Sequence, residues 1–253
     1  KDLNSRKTSF LEITKKTKIS EIFKAISNYS ESSEIRYVGG CVRKILNNEN
    51  FDDIDLATNL KPREVKECLQ NNNIKFFETG IEHGTITAHI DGKNFEITSL
   101  RKDISTDGRH AIVEFTERWG EDALRRDFTI NSIYADKEGN LFDPNDGVKD
   151  LEIGKIKFIG NAEKRIKEDY LRILRYLRFF LNYSNQEHKL EIKKVIKKNI
   201  NGISKLSKER LIDELKKLIK SNKFINICDD EFCKEILILI FPQIKNIKIL
   251  KKL

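Results

Sequence analysis

The chain has 253 residues, of which 38% are hydrophobic and 35% are charged. These fractions leave enough apolar side chains for one or two folded cores, and they exclude a disordered or fibrous protein. The apolar run at residues 236–241 is far shorter than the ~20 residues that cross a bilayer, and no signal peptide is recognisable, so no membrane association is expected. Four cysteines without a CxxC pair are typical of reduced thiols, and the sequence predicts a cytoplasmic protein.

Charge is distributed unevenly along the chain. Residues 151–253 contain 25 Lys and Arg against 13 Asp and Glu, a net +12, whereas residues 1–150 contain 23 basic and 27 acidic residues, a net −4. An acidic part followed by a basic part is typical of an enzyme that handles a polyanion. A lysine-rich bias on solvated helices would give the same totals, so charge alone leaves both interpretations open.

The hydrophobic pattern predicts two parts in chain order. A polar helix is predicted over residues 7–33, and residues 101–121 are predicted to be a polar loop. Strands are predicted at residues 35–38, 54–56, 74–77, 85–90 and 95–100, with helices at 41–46 and 58–69. After Ile159 only amphipathic helices are predicted, at residues 162–181, 190–199 and 207–219. The fold class is therefore α+β, with an all-helical basic part at the end.

Carboxylates and glycines near the second strand predict a metal site. Asp53 and Asp55 are two residues apart, so on a strand they point to the same face and can hold two divalent cations. Glu96, between apolar Phe95 and Ile97, is a candidate third acid. Oxygen ligands favour Mg²⁺. Gly39-Gly40 between strand and helix can admit a phosphate to the backbone, although a glycine pair is more often only a turn.

Two groups of arginines are candidate phosphate ligands. Arg43 is one turn into the helix after the glycines, and the adjacent Arg125 and Arg126 can clamp a triphosphate. A surface pair that forms salt bridges with Glu121 and Asp122 would have the same sequence. Further along, polar positions step by three along one predicted helix at Asp169, Arg172, Arg175 and Arg178. That stripe either reads a ligand or forms exposed ion pairs.

Taken together and in order, these segments resemble one family. They are Gly39-Gly40-Cys41-Val42-Arg43, Asp53-Ile54-Asp55, His83-Gly84-Thr85, RRDFTIN at 125–131 and EDYLRILRYLRF at 168–179. The chain resembles the class II tRNA nucleotidyltransferases (CCA-adding enzymes) of the tRNA nucleotidyltransferase and poly(A) polymerase family, over roughly residues 35–220. The resemblance implies a polymerase-β-like head domain followed by a helical neck and body. It also implies template-independent addition of C, C and A to the tRNA 3′ end from CTP and ATP.

The resemblance assigns a role to each matching residue. Asp53 and Asp55 would bind Mg²⁺, and Glu96 would be the third catalytic carboxylate. Nucleotide binding would fall to Gly40, Arg43, Arg126, Asp169, Arg172, Arg175 and Arg178. One departure is Lys44, where the family usually has an acid.

The implied domains are an N-terminal helical segment at residues 1–34, a nucleotidyltransferase head at 35–158 and a helical neck at 159–222. Residues 223–253 would begin a helical body that continues in relatives.

Poly(A) polymerases, CC-adding and A-adding enzymes stay open as alternatives. The segment 79–85 looks more like the CCA-adding version, and the polar stretch from Arg101 to His110 looks like the flexible loop that CC-adding enzymes lack. From a different class, a catalytically inactive RNA-binding module is also possible.

Overall fold

A computed structural model of the protein describes residues 3–51, 53–106 and 111–244. The chain folds into two compact units, the first comprising residues up to Ile104 and from Ile112 to Lys149, and the second consisting mainly of the residues from Asp150 onward. The first unit mixes helices and strands, and the regular elements described from Ala162 onward are helices. The predicted fold class is confirmed. None of the described helices is both long and apolar enough to cross a membrane.

Two helices open the first unit where the sequence predicts one. They are α1 (Leu3–Lys16) and α2 (Ile19–Ser27). The chain breaks at Thr17, whose hydroxyl accepts from the Ile19 N–H and so stabilises the new helix start. The apolar side of α2 is buried, and the ring of Phe23 lies 5.1 Å from that of Tyr37 in the first strand.

A seven-stranded sheet forms the centre of the first unit. Its strands are β1 (Ile35–Val38), β2 (Asp55–Thr58), β3 (Lys75–Gly80), β4 (Thr85–Ile90), β5 (Lys93–Ser99), β8 (Tyr134–Ala135) and β9 (Leu141–Phe142). Their order across the sheet is β3-β4-β5-β2-β1-β8-β9. Strands β2 and β5 are parallel, and the other paired neighbours are antiparallel.

The central strands are buried on both faces. Tyr37 and Leu56 belong to the main core with α1 and α2, whereas their neighbours Val38 and Ala57 belong to a second cluster around Trp119. Successive side chains of a strand point to opposite faces, which is why these strands read as nearly continuous apolar runs.

Helix α3 (Gly40–Leu46) follows β1, and α4 (Pro62–Asn71) follows β2. The prediction that this second helix begins at Thr58 is wrong, because Thr58 pairs with Ile35 in the sheet. Pro62 occupies the first turn, where its missing N–H costs nothing, and the Glu64 carboxylate accepts from the Lys61 N–H at 2.7 Å.

The polar stretch that was predicted to be a loop contains regular structure. Strands β6 (Arg101–Thr106) and β7 (Ala111–Phe115) pair in a separate two-stranded sheet, and α5 (Trp119–Leu124) follows. Backbone pairing needs no apolar face, so polar composition is a poor guide here; Lys102 and Glu114 form an ion pair at 3.4 Å. Residues 107–110 of the predicted flexible loop lie outside the described residues.

The remaining helices are α6 (Gly147–Glu152), α7 (Ala162–Glu168), α8 (Leu171–Tyr183), α9 (Leu190–Asn199), α10 (Lys208–Ile219) and α11 (Glu231–Ile240). Side chains of Asn161, Ser207 and Asp230 cap α7, α10 and α11 by accepting backbone N–H groups. The prediction of one helix over residues 162–181 is wrong at Asp169 and Tyr170, where α7 ends and α8 begins. The Tyr170 ring covers Gly202 so closely that a Cβ there would come 2.0 Å from the ring.

Candidate active site in the first unit

The parallel pairing of β2 with β5 brings two predicted acids side by side. Asp55, the first residue of β2, is the register partner of Glu96 in β5. Leu56 and Ile97, the residues after them, both face the main core. Asp55 and Glu96 therefore point to the opposite face of the sheet, next to each other.

Asp53 lies just before β2 rather than within it, and its side chain is exposed. The pKa of the Asp55 carboxyl is raised, first by burial and then by the nearby negative charge of Glu96, while Arg126 opposes the shift and Asp53 adds to it. The negative charges of Glu96 and Asp53 thus oppose ionisation of the half-buried Asp55. A divalent cation among these oxygen ligands would relieve that repulsion, so the donor set fits Mg²⁺.

The turn between β1 and α3 lies against these acids. Gly39 has a φ of 71°, a conformation that glycine adopts without strain, and it precedes the first residue of α3. A Cβ on Gly39 would lie 4.0 Å from Asp55 Oδ2 and 3.9 Å from Arg126 Nη1. The missing side chain therefore leaves backbone exposed between a carboxylate and a guanidinium. Gly40, which was predicted to bind nucleotide, is the next residue, and a Cβ there would lie 3.8 Å from Arg43 Nη2.

Arg43 projects from α3 into the interior and is only 5% exposed. Its guanidinium donates to the side-chain oxygen of Asn131, whose amide donates in turn to Asp127 Oδ1 at 2.9 Å. Asn131 and Asp127 are in the RRDFTIN segment, so two of the predicted motifs are joined by hydrogen bonds.

Arg126 is held by two groups that were not predicted as site residues. Its Nη2 donates to Asp122 Oδ2 at 3.0 Å, and its Nε donates to the Tyr134 hydroxyl at 3.1 Å. Asp122 is 1% exposed and also accepts from Arg125 Nε at 2.9 Å. The alternative of a surface pair bridged to Glu121 and Asp122 is right that Asp122 pairs with both arginines, but this acid is buried, and Glu121 pairs with Arg118 instead.

The opposite charges of Asp122 and Arg126 stabilise the ionised form of both side chains. Burial alone would raise the pKa of Asp122, but Arg126 and Arg125 and the Tyr134 hydroxyl lower it well below its usual range. Burial alone would lower the pKa of Arg126, but Tyr134 and Asp122 raise it. A charged guanidinium is therefore fixed in place, 17% exposed, beside the glycine turn.

The remaining predicted residues lie in the second unit. Asp169 is between α7 and α8, where its Oδ1 accepts from the Leu171 N–H and its Oδ2 lies 2.8 Å from Arg210 Nη2. Arg172, on α8, donates to Glu168 Oε2 at 2.9 Å and to the Arg165 carbonyl at 2.8 Å. The interpretation of four positions on one helix is therefore wrong for Asp169, because the helix begins after it.

Arg175 and Arg178 share the carboxylate of Glu214, which projects from α10 and is 2% exposed. Arg178 Nε donates directly to Glu214, and its guanidinium lies 4.4 Å from the centre of the Phe179 ring. These two arginines therefore link α8 to α10. Glu214 was not predicted, because nothing in the local sequence distinguishes it from the exposed acids of the same helix.

Comparison with known proteins matches both parts of the chain. Residues 35–157 match the poly A polymerase head domain, and residues 189–247 match a family described as the probable RNA and SrmB-binding site of polymerase A. The human mitochondrial CCA tRNA nucleotidyltransferase 1 is 47% identical over 195 residues, which is 76% of this chain and 45% of that protein. The CCA-adding enzyme of Lactobacillus johnsonii is 39% identical over 73% of this chain and 46% of its own length.

The chain belongs to the tRNA nucleotidyltransferase and poly(A) polymerase family. The Bacillus stearothermophilus CCA-adding enzyme in complex with CTP superposes with a TM-score of 0.70 at 28% identity, covering 87% of this chain and 50% of that one. A tRNA nucleotidyltransferase complexed with a primer tRNA and an incoming ATP analogue gives a TM-score of 0.69 at 27% identity, covering 88% and 64%. The chain spans about half the length of the curated relatives it matches.

Family membership confirms the resemblance found in the sequence, and the first unit brings together every site residue predicted there. They are Gly40, Arg43, Asp53, Asp55, Glu96 and Arg126. The residues that hold Arg43 and Arg126 were not predicted as part of the site; they are Asn131, Asp122 and Tyr134. For Asp122 a signal existed, since it precedes Arg126 by four residues, the spacing of neighbours on a helix.

Proposed function

We propose that the chain carries the catalytic part of a tRNA nucleotidyltransferase that adds C, C and A to the tRNA 3′ end from CTP and ATP without a template. The observation that carries the proposal is the register of Asp55 with Glu96 on one face of the sheet, beside the glycine turn and Arg126. The relatives named for CCA addition support the choice of reaction.

Asp53 and Asp55 would hold Mg²⁺, with Glu96 as the third carboxylate. When bound, the ions would make the RNA 3′-hydroxyl more acidic and neutralise charge on the triphosphate. Burial and then the charge of Glu96 raise the pKa of Asp55, which supports this assignment because a cation would relieve the repulsion between the carboxylates.

The protein's own groups would position the nucleotide. The backbone at Gly39 and Gly40 leaves room for phosphate oxygens, and the fixed charge of Arg126 would bind the triphosphate on the other side of the turn. Arg43, which is buried and donates to Asn131, would contribute to the nucleotide-binding site next to Gly40.

Base selection would fall to Asp169 and Arg172. Cytosine and adenine present an amino donor beside a ring-nitrogen acceptor, whereas uracil and guanine present a carbonyl acceptor beside a ring N–H. A carboxylate next to a guanidinium complements the first pattern and mismatches the second. Asp169 would exchange its Arg210 partner for the base, and Arg172 would exchange Glu168. Arg175 and Arg178, tied to Glu214, would support α8.

The domain assignment stays a proposal in the same form: an N-terminal segment at residues 1–34, a head at 35–158, a neck at 159–222 and the start of a body at 223–253. The net charge of +12 after residue 150 supports contact with tRNA by the later part.

We expect a cytoplasmic enzyme, although some relatives are named as mitochondrial.

The test is incorporation of labelled CTP and ATP with Mg²⁺ into tRNA that ends before CCA, after C and after CC. Addition of the missing nucleotides to all three substrates is expected. Addition of A alone to the CC-ending tRNA would show an A-adding enzyme, and long A tracts on any RNA would show a poly(A) polymerase. Binding of tRNA without incorporation would show an inactive RNA-binding module. Each of these three results would overturn the proposal.

A further inference from the structure

Three side chains of the second unit converge at the beginning of α11, and none of them is named in the proposed reaction. His188 precedes α9, Asp230 caps α11, and Cys233 is three residues further along that helix. One ligand atom from each lies within 4.8 Å of the others. An imidazole, a carboxylate and a thiol together form a donor set typical of zinc sites.

Two of the three separations between the ligand atoms are close to those of a tetrahedral site. Cys233 Sγ lies 3.6 Å from His188 Nε2, and Asp230 Oδ2 lies 2.8 Å from the same nitrogen. Metal–ligand bonds of about 2.0–2.3 Å in tetrahedral geometry separate the ligand atoms by roughly 3.3–3.7 Å. The thiol and imidazole already have that spacing, and the carboxylate needs to move by about half an ångström from its hydrogen-bonded position.

The imidazole is oriented by groups around it. The Tyr176 hydroxyl lies 2.9 Å from Nδ1, which leaves Nε2 as the atom directed at Asp230 and Cys233. The ring stacks on Phe180 with centroids 3.6 Å apart, and Phe232 contacts its edge. A metal-ligating histidine commonly has its other ring nitrogen bonded to an oxygen, and Tyr176 provides that oxygen.

The two carboxylate oxygens of Asp230 have separable roles. Oδ1 accepts from the Cys233 N–H at 2.8 Å and so caps α11, whereas Oδ2 is the oxygen closest to His188. The cap can therefore persist while Oδ2 serves as a ligand. The Asp230 side chain is 18% exposed, against 8% for His188, so water can complete the coordination.

We propose that His188, Asp230 and Cys233 form a binding site for one zinc ion, with water as the fourth ligand. Binding would release the thiol proton of Cys233 to solvent and keep the imidazole neutral, with its one proton on Nδ1 toward Tyr176. Metal bonds would replace the contacts that Nε2 makes with Asp230 and Cys233. The site would fix the segment before α9 to the start of α11. It is independent of the proposed magnesium ligands, which contain no sulfur.

Cobalt(II) is the probe, because a cobalt–thiolate bond gives a near-ultraviolet charge-transfer band that oxygen ligands do not give. The full chain is stripped with a chelator and titrated with CoCl₂. One equivalent is expected to produce that band together with strong visible bands of four-coordinate cobalt. Zinc is expected to displace cobalt and to raise the Tm. A titration of the folded chain without the thiolate band would overturn the proposal.

Variants assign the ligands. Cys233→Ser should lose the thiolate band, whereas Cys228→Ser, which changes a nearby free cysteine outside the cluster, should keep it. Asp230→Asn retains a capping oxygen but not the charge, so it should keep its helix content by circular dichroism and bind cobalt at least 10-fold more weakly. A band that survives Cys233→Ser, or an unchanged affinity in Asp230→Asn, would show that the cluster is only a hydrogen-bonded helix cap.

Discussion

Asp55 has a carboxyl group whose charge is opposed by burial and by Glu96. A carboxyl with a raised pKa binds its proton more tightly in the folded state, so it favours folding at low pH and opposes folding as the pH rises through that pKa. For metal-free protein at pH 7 we therefore expect Asp55→Asn to raise the free energy of unfolding, by roughly 1 kcal/mol. Urea titrations of both proteins would measure this.

The same substitution should reduce nucleotide addition on the order of 10³-fold, since a metal ion stabilises transition-state charge by several kcal/mol. Mg²⁺ should raise the Tm of the wild type and leave that of Asp55→Asn unchanged. Glu138→Gln, at an exposed turn of the first unit, is the control and should behave as wild type. Near-normal turnover in Asp55→Asn would contradict the metal-ligand role.

Asp122 is the reverse case, with a pKa held low by Arg126 and Arg125 against the effect of burial. Asp122→Asn removes a buried counter-charge from these guanidinium groups and should cost about 3 kcal/mol of stability at pH 7. A depressed pKa contributes stability above the unfolded value of about 3.9, and this contribution is lost as the pH falls below it. The stability difference between the two proteins, measured in urea, should thus be constant above about pH 5 and narrow below about pH 4.

Activity provides a second measurement for Asp122. Because it holds Arg126, Asp122→Asn should raise the KM for CTP and ATP. Glu117→Gln, an exposed acid just before α5, should change neither KM nor stability. A stability difference that stays constant down to pH 3 would show that the carboxylate is not the source of the effect.

At the scale of elements, α8 and α10 are linked through one buried acid. Glu214 bonds Arg178 and lies 3.9 Å from Arg175. Glu214→Gln should cost about 3 kcal/mol in urea unfolding, because it removes the buried negative charge that these two cations share. Asp213→Asn changes the exposed neighbouring acid, whose side chain is 68% accessible, and should cost less than about 0.5 kcal/mol. Equal effects would mean that the ion pairs with α8 contribute little.

The break between α7 and α8 places Asp169 and Arg172 at a helix start rather than along one stripe. Asp169→Ala and Arg172→Ala should reduce discrimination against UTP and GTP, or abolish incorporation, with tRNA binding nearly unchanged. Measuring incorporation of all four nucleotides checks this, with exposed Lys167→Ala as the control. An unchanged preference for CTP and ATP would reduce both residues to a structural role.

Local patterns predicted the elements that local forces dominate. Strand β4 and helix α9 have the predicted bounds, because alternation and amphipathic spacing decide them. The face that Asp55 and Glu96 take was predictable, since alternation along a strand fixes it, whereas Asp53 lies before β2 and alternation does not place it. The pairing of β6 with β7 and the burial of Asp122 were not, because both depend on contacts between distant segments whose side chains look solvated.

At the scale of the whole molecule, the basic part after residue 150 should determine how RNA affinity depends on salt. Each phosphate that a cation neutralises releases counterions, so a binding surface of several lysines and arginines weakens steeply with salt. Between 50 and 200 mM salt, tRNA affinity should fall on the order of 10³-fold, as expected for at least six phosphate contacts. Filter binding of tRNA measures this, with CTP affinity at fixed Mg²⁺ as the reference. Salt-independent tRNA binding would contradict an electrostatic surface.

The parallel pairing of β2 with β5 also has a consequence for folding. Parallel strands cannot be joined by a tight turn, and 40 residues, including α4, β3 and β4, separate Asp55 from Glu96. The hairpin of β4 and β5 closes a short loop, whereas docking β2 closes a long one at a greater entropic cost. We expect the hairpin to form first, with each carboxylate still in water. The mutual repulsion of the acids would then be felt only at the closing step, so the chain can begin to fold without it.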